Sequence, residues 1–187
     1  VIIMPENIIK TENLHSVTLV KEMCKGCTTC IKQCPTGAIR VRGGKAKIIK
    51  ERCIDCGECI RVCPYHAKQA KTDGLERLND FKYKVALPAP SMYVQFDKPY
   101  SVDTILTGLM QLGFDDVYEV AGGAELVTEA TGEYLKEDCE KPVISSACPV
   151  ITRLMSVRFP NLISNIVPMR APVDIAAALA RRRAMEK

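Results

Sequence analysis

CKGCTTCIKQCP, Cys24 to Pro35, and CIDCGECIRVCP, Cys53 to Pro64, are two copies of one motif, and their reading decides the fold. Each spaces its cysteines C-x2-C-x2-C-x3-C and follows the last with proline. Three closely spaced thiolates on one loop reach three corners of a cubane iron–sulfur cluster. The fourth, on the helical turn that follows, points toward the other cluster. The spacing predicts one [4Fe-4S] cluster on Cys24, Cys27, Cys30 and Cys63, and a second on Cys53, Cys56, Cys59 and Cys34. Such cross-ligation makes the two motifs one folding unit with pseudo-twofold symmetry. A zinc site would leave the third and fourth cysteine of each motif without a role. Disulfides fit poorly, because cysteines three apart are badly placed to pair and the rest of the chain reads as intracellular.

The prolines stop the short helices that end each motif. Gly26 and Gly57 leave room for backbone amides to approach cluster sulfurs, and such hydrogen bonds raise a reduction potential. Ile31, Ile54, Ile60 and Val62 are expected to shield the clusters from water. Over roughly residues 15–71 this unit resembles bacterial two-cluster ferredoxins.

The chain has 187 residues, enough for one large or two small domains. Its 47% apolar and 26% charged content is ordinary for a globular protein. No apolar run is long enough to span a bilayer, and the start, VIIMPENIIK, lacks the basic and apolar regions of a signal peptide. Ten cysteines in such a chain favour metal ligation in a reducing compartment, so a cytoplasmic location is expected. Residues 21–71 carry 12 Lys+Arg against 4 Asp+Glu, and residues 72–187 carry 13 against 16. The basic excess of the first stretch balances the charge of two clusters, about −4 when oxidised. It also offers a docking face for an acidic, ferredoxin-like electron carrier. Nucleic acid is not an expected partner, since the basic stretch lacks interleaved aromatics.

In chain order, residues 1–14 read as a lead-in and residues 15–71 as an α+β two-cluster domain. His15 to Val20 reads as a strand, and Ala38 to Val41 and Lys45 to Ile49 as a hairpin around Gly43-Gly44. His15 and His66 read as surface residues. Residues 72–82 form a connector with a short helix, and residues 83–187 a partial α/β domain. Its expected strands are Tyr83 to Leu87, Asp116 to Val120 and Pro142 to Ser145. Ser91 is placed as the cap of a helix at Met92, and Ser101 as the cap of a helix with Ile105, Leu106, Leu109, Met110 and Leu112 on its apolar stripe, ended by Gly113. Gly122-Gly123 opens a helix to about Lys136, Cys148-Pro149 one to about Arg158, and Pro172 one to Met185. Strand–helix alternation with short links predicts a parallel, three-layer α/β sheet.

VALPAPSMYVQF, GLMQLGFDDVYEVAGGAELVTEATGEYL and VISSACPVITRLMSVRFP, in that order after a two-cluster unit, resemble the catalytic-subunit core of iron-only (FeFe) hydrogenases over roughly residues 80–187. In that family a T-S-C-C-P segment supplies two cysteines. The second binds the cubane of the active-site H-cluster and the first passes protons. Here the segment is Ser145-Ser146-Ala147-Cys148-Pro149. The resemblance makes Cys148 a candidate H-cluster cubane ligand and puts Ala147 at the proton-relay position, where a methyl group cannot carry a proton. That change resembles the sensory branch of the family, in which a hydrogenase domain reports on hydrogen or redox state. The physical reading agrees on the place: Cys148 falls between a strand and a helix start, where α/β sheets bind ligands. Cys139, in the charged run EDCEK, matches no family ligand.

The remaining family motifs, with three further cubane cysteines and a lysine near the diiron site, would lie beyond Lys187. The chain is therefore expected to hold two clusters and to be part of a longer protein, the H-cluster being completed in cis or by another chain. Three functions stay open: an electron relay in a hydrogenase-like enzyme or sensor, an iron–sulfur assembly or binding module without hydrogen chemistry, and a plain dicluster ferredoxin fused to a structural α/β domain.

Overall fold

The computed structural model describes residues 15–96, 100–137 and 140–187. These fall into two compact units that do not follow chain order. Residues 15–73 cluster with residues 149–164, and residues 74–148 with residues 165–187.

The first unit is built on an internal repeat. Cys53 follows Cys24 by 29 positions, and the same offset relates whole elements. Strand β1 (Val17–Leu19) leads to the first motif, whose helix α1 is Thr29–Lys32. The hairpin β2 (Ile39–Arg42) and β3 (Lys45–Ile48) follows. A 3-10 turn, Lys50–Arg52, leads into the second motif with helix α2 (Glu58–Arg61), and β4 (Lys68–Ala70) closes the unit. β1 pairs antiparallel with β4, Leu19 opposite Lys68, and β2 with β3, Ile39 opposite Ile48. Shifting by the repeat carries β1 onto β3 and β2 onto β4. The backbone repeats as well: φ is positive at Gly26 and Asp55, at Thr28 and Gly57, and at Gly37 and His66. Gly26 is the position with least freedom, because at φ +67° a Cβ there would come within 2.6 Å of the Gly44 carbonyl oxygen.

The core of this unit is small and partly made of thiols. Cys24, Cys30, Ile39, Ala46 and Ala67 are buried together, with Leu19, Ile31, Cys34, Val41, Ile48, Cys59 and Cys63 packed around them. A core this small supplies only about 3–5 kcal/mol by itself, so an added staple contributes much of the stability of such a unit. Of the expected shielding residues, Ile54 is buried, and Ile31, Ile60 and Val62 are half-buried. His66 is exposed. His15 is half-buried rather than on the surface, with its Nδ1 enclosed and without a hydrogen-bond partner among the described residues. Residues 149–164 bring α6 (Pro149–Arg158) and a 3-10 turn, Pro160–Asn165, whose last residue belongs to the other unit.

In the second unit a 3-10 stretch, Leu75–Asp80, precedes β5 (Val85–Ala86) and α3 (Pro90–Tyr93). Pro90 rather than Ser91 starts this helix, since proline's fixed φ suits the first helical position. α4 (Val102–Gln111) is capped as expected, the Ser101 hydroxyl accepting the Thr104 N–H at 3.2 Å. Gly113, at φ +105°, follows its end. On its apolar stripe Ile105 is buried and Leu106 and Leu109 half-buried, whereas Met110 and Leu112 are exposed. β6 (Asp116–Val117) pairs in parallel with β5. α5 (Val120–Tyr134) begins before the two glycines, which sit in its first turns. α7 (Pro172–Met185) packs on α5 around Val127, Val167, Met169 and Ile175.

The expected strand Pro142 to Ser145 is reduced to one parallel bridge, Ile144 to Ile166. Only three two-stranded sheets form among the described residues, one of them parallel. Parallel pairing is thus present in the second unit, as β5–β6 and as that bridge, but only over these short stretches.

Candidate metal centre

The eight motif cysteines sort into two cavities. Cys24, Cys27, Cys30 and Cys63 line one, three from the first motif and one from the second. Cys53, Cys56, Cys59 and Cys34 line the other, with the converse split. Both loops carry two residues at positive φ, Gly26 and Thr28 in the first and Asp55 and Gly57 in the second, and each is followed by a four-residue helix. All eight are free thiols rather than disulfides. Among the described residues no three histidine, cysteine or acidic side chains converge as a single metal ion would need. Four thiols spread around a cavity suit a cubane, whose irons sit at separate corners.

Backbone donors serve the sulfurs symmetrically. Ala38 N–H donates to Cys34 Sγ at 3.2 Å and Ala67 N–H to Cys63 Sγ at 3.3 Å, again one repeat apart. The Thr29 hydroxyl lies 3.5 Å from Cys27 Sγ and the Thr36 hydroxyl 3.7 Å from Cys34 Sγ. Burial pushes the Cys30 and Cys53 thiols up and Cys59 up to about 11. At Cys24 burial acts the same way, but N–H groups of Ala46 and Gly26 and the charges of Lys45 and Lys68 outweigh it and hold the thiol below its ordinary value. Thr29 lowers Cys27 through its hydroxyl and its N–H. Donors gathered on sulfur favour thiolate, the form that ligates iron. The residues therefore fit the group the spacing calls for.

Two cations beside the cavities escaped the motif reading. Lys68 lines the first cavity with only 2% of its surface exposed, and its Nζ has no hydrogen-bond partner among the described residues. Shifting one motif onto the other would have exposed it, because the residue one repeat earlier is Ile39. Arg153 of α6 donates to the Lys50 carbonyl at 3.4 Å, and its charge acts on Cys53. No local signal links residue 153 to the motifs, since the contact is long-range.

The Ser145–Pro149 segment is placed at the start of α6. Cys148 is exposed, and Ala147 carries no group able to move a proton. The Ser146 hydroxyl is buried and donates to the Met169 carbonyl at 2.7 Å, and the Ser145 hydroxyl accepts the Ala147 N–H at 3.3 Å. Cys139 lies outside the described residues. No described helix is long and apolar enough to cross a membrane.

Residues 16–64 match the 4Fe-4S dicluster domain, which spans both cysteine motifs. Residues 82–187 match the model of the iron only hydrogenase large subunit, C-terminal domain. Over 105 residues, half of this chain, the sequence is 28% identical to iron hydrogenase 1 of Clostridium pasteurianum. The chain spans 18% of that relative's length. With more than half of its residues matched to one family and a dicluster domain ahead of them, the chain belongs to the iron-only hydrogenase large-subunit family.

Proposed function

We propose that this chain is the electron-relay part of a hydrogenase-like protein. It holds one [4Fe-4S] cluster on Cys24, Cys27, Cys30 and Cys63 and a second on Cys53, Cys56, Cys59 and Cys34. The observation that carries the reading is the sorting of the eight thiols into two cavities, each lined by three cysteines of one motif and one of the other. The clusters supply one-electron steps at low potential. The chain's own part is to hold eight thiolates, donate N–H groups to sulfur and exclude water with Ile31, Ile54, Ile60 and Val62. Electrons pass to or from an H-cluster completed outside this chain, with Cys148 as one ligand to its cubane. In the longer protein the β5–β6 pair and the Ile144–Ile166 bridge belong to a larger parallel, three-layer sheet. The basic residues 21–71 dock an acidic carrier by charge.

A second reading, a sensor rather than a fast enzyme, is favoured by Ala147. The neighbouring Ser146 hydroxyl is committed to Met169, and serine's pKa is far above that of cysteine, so neither residue replaces a thiol relay.

The test is anaerobic reconstitution. About eight irons and matching sulfide per chain are expected, with visible thiolate-to-iron absorption that bleaches on reduction. Cys63→Ser should perturb the cluster of Cys24, Cys27 and Cys30. Bound zinc without visible absorption would overturn the reading. A Cys63→Ser effect confined to the cluster of Cys53, Cys56 and Cys59 would overturn the ligand assignment. Infrared bands of iron-bound carbonyl and cyanide in the full-length maturated protein separate a hydrogenase-like parent from an assembly module.

A further inference from the structure

We propose that Lys68 is the built-in counter-ion of the first cluster and makes the two clusters electrochemically unequal, the one on Cys24, Cys27, Cys30 and Cys63 being the easier to reduce. The proposal rests on the two-cluster reading above.

Three observations place Lys68. Its side chain is almost wholly buried, at 2% exposure, in a unit where the other lysines are half-buried or exposed. Its Nζ has no hydrogen-bond partner among the described residues, although burying a cation without one is costly. It lines the cavity of the first four cysteines, where the sulfides and thiolates of a cluster would give it negative partners. Lys68 opens β4 buried beside Ala67, while Gln69 and Ala70 after it are exposed.

The repeat supplies an internal control. Cys63, Pro64, Ala67 and Lys68 line the first cavity, and Cys34, Pro35, Ala38 and Ile39 line the second at the matching positions. The two sites thus share ligand spacing, fold and N–H donors to sulfur, and differ at this position by a cation against a buried isoleucine. The other charges lining the cavities lean the same way. Lys25 lines the first, while Asp55 and Glu58 line the second. Arg153 and Arg61 act in the opposite sense, the first on Cys53 and the second paired to Glu58 at 2.6 Å. Both Glu58 and Arg61 have solvent access and are screened, whereas Lys68 is not. Lys68 also acts on Cys30 and Cys24 and, across the unit, on Cys59, so its influence is graded rather than confined. A cation near a cluster stabilises the reduced, more negative form. Electrons arriving at the pair therefore rest mainly on the first cluster.

The experiment compares reconstituted full-chain wild type with Lys68→Met and Lys68→Arg. Iron and sulfide are counted first, and both midpoints are then titrated by electron paramagnetic resonance. Hyperfine-shifted cysteine β-protons assign each midpoint to its ligands. The expected result is two resolved midpoints in wild type, the higher on the Cys24 and Cys30 cluster. Lys68→Met should make that cluster at least tenfold harder to reduce, a shift of about 59 mV for one electron, and move the other less. Lys68→Arg should restore most of the difference. Unchanged midpoints in a fully loaded Lys68→Met protein overturn the proposal while leaving the two-cluster reading intact. If Lys68→Met fails to load but Lys68→Arg loads with wild-type midpoints, the charge is required and the proposal stands. Failure of both to load assigns Lys68 to packing and overturns it. A wild type without two cubanes overturns the proposal together with the reading beneath it.

Discussion

At the residue scale, Asp116 shows how one carboxylate ties distant parts of the second unit together. It accepts from Lys187 Nζ at 2.6 Å, from the Val117 N–H at 2.9 Å and from the Tyr83 hydroxyl at 3.4 Å, with Arg183 Nε at 3.3 Å. The Lys187 hydrogen bond, against the effect of burial and helped by the Val117 N–H and Arg183, holds its carboxyl below the usual value. A depressed folded pKa contributes stability that is present above the unfolded value, about 3.9 for Asp, and is lost as pH falls through the folded value. The Asp116 side chain is 14% exposed but those of Lys187 and Arg183 are 45% and 52% exposed, so screening cuts the gain. Asp116→Asn should therefore cost about 1 kcal/mol at pH 7. The gap to wild type should close as pH is lowered from about 4 downward, followed by urea denaturation at several pH values. A gap that persists in full at the acid end would assign the effect to the shape of the side chain instead of its charge. Nothing in the local sequence pointed to this role, because its side-chain partners lie 33, 67 and 71 positions away in the chain. The cysteines were legible for the opposite reason: their chemistry is written in spacings of three and four residues, and the proline after each motif fixes where the turn ends.

At the element scale, the contact between α5 and α7 depends on one missing side chain. A Cβ at Gly123 would collide with the Pro172 carbonyl oxygen and lie 3.0 Å from the Ala176 nitrogen, both backbone atoms that cannot step aside. Gly132, on the same helix, has nothing within 4 Å of its Cβ position. Alanine raises helix propensity at both sites, so the pair separates packing from propensity. Gly132→Ala should stabilise by about 0.5–1 kcal/mol, and Gly123→Ala should destabilise by about 1–3 kcal/mol despite the same intrinsic gain. Thermal melts of both variants check this, and equal shifts of either sign would show that the helices do not meet as closely as described. Helices were readable because caps, proline and periodic apolar residues act locally, as Ser101 and Pro172 show. Strands of the second unit were readable in place but not in extent. Val85–Ala86 and Asp116–Val117 form where expected, yet Pro142 to Ser145 yields only the bridge from Ile144 to Ile166. A parallel strand needs a partner supplied from far along the chain, and a short apolar run carries no record of which partner it finds. The grouping of residues 149–164 with the cysteine-rich unit was hidden for the same reason.

At the scale of the whole molecule, the question is what the relay serves, and Ala147 bears on it most directly. The family match covers residues 82–187, and in the resemblance read from the sequence the segment Ser145 to Pro149 has Ala147 where a second cysteine is expected. Ala147 offers no titratable group, and the Ser146 hydroxyl is buried on the Met169 carbonyl. Under the proposed reading, the full-length maturated protein should turn hydrogen over slowly, limited by proton delivery, and Ala147→Cys should accelerate it. The gain should be on the order of 10²-fold, the lower end for a positioned proton-transfer group. Ala147 is exposed in this chain, so a sulfur can be added without forcing the core, and the variant should load as well as wild type. The measurement is hydrogen evolution from a reduced dye at equal active-site occupancy, with occupancy read from the infrared bands. A second readout separates proton delivery from a general improvement: the solvent isotope effect on turnover should be larger in wild type than in Ala147→Cys. Equal rates and equal isotope effects in the two proteins would mean that protons reach the site by another route or do not limit turnover. The sensory reading would then lose the residue that supports it, while the electron relay through the eight cysteines, which depends on none of these atoms, would stand.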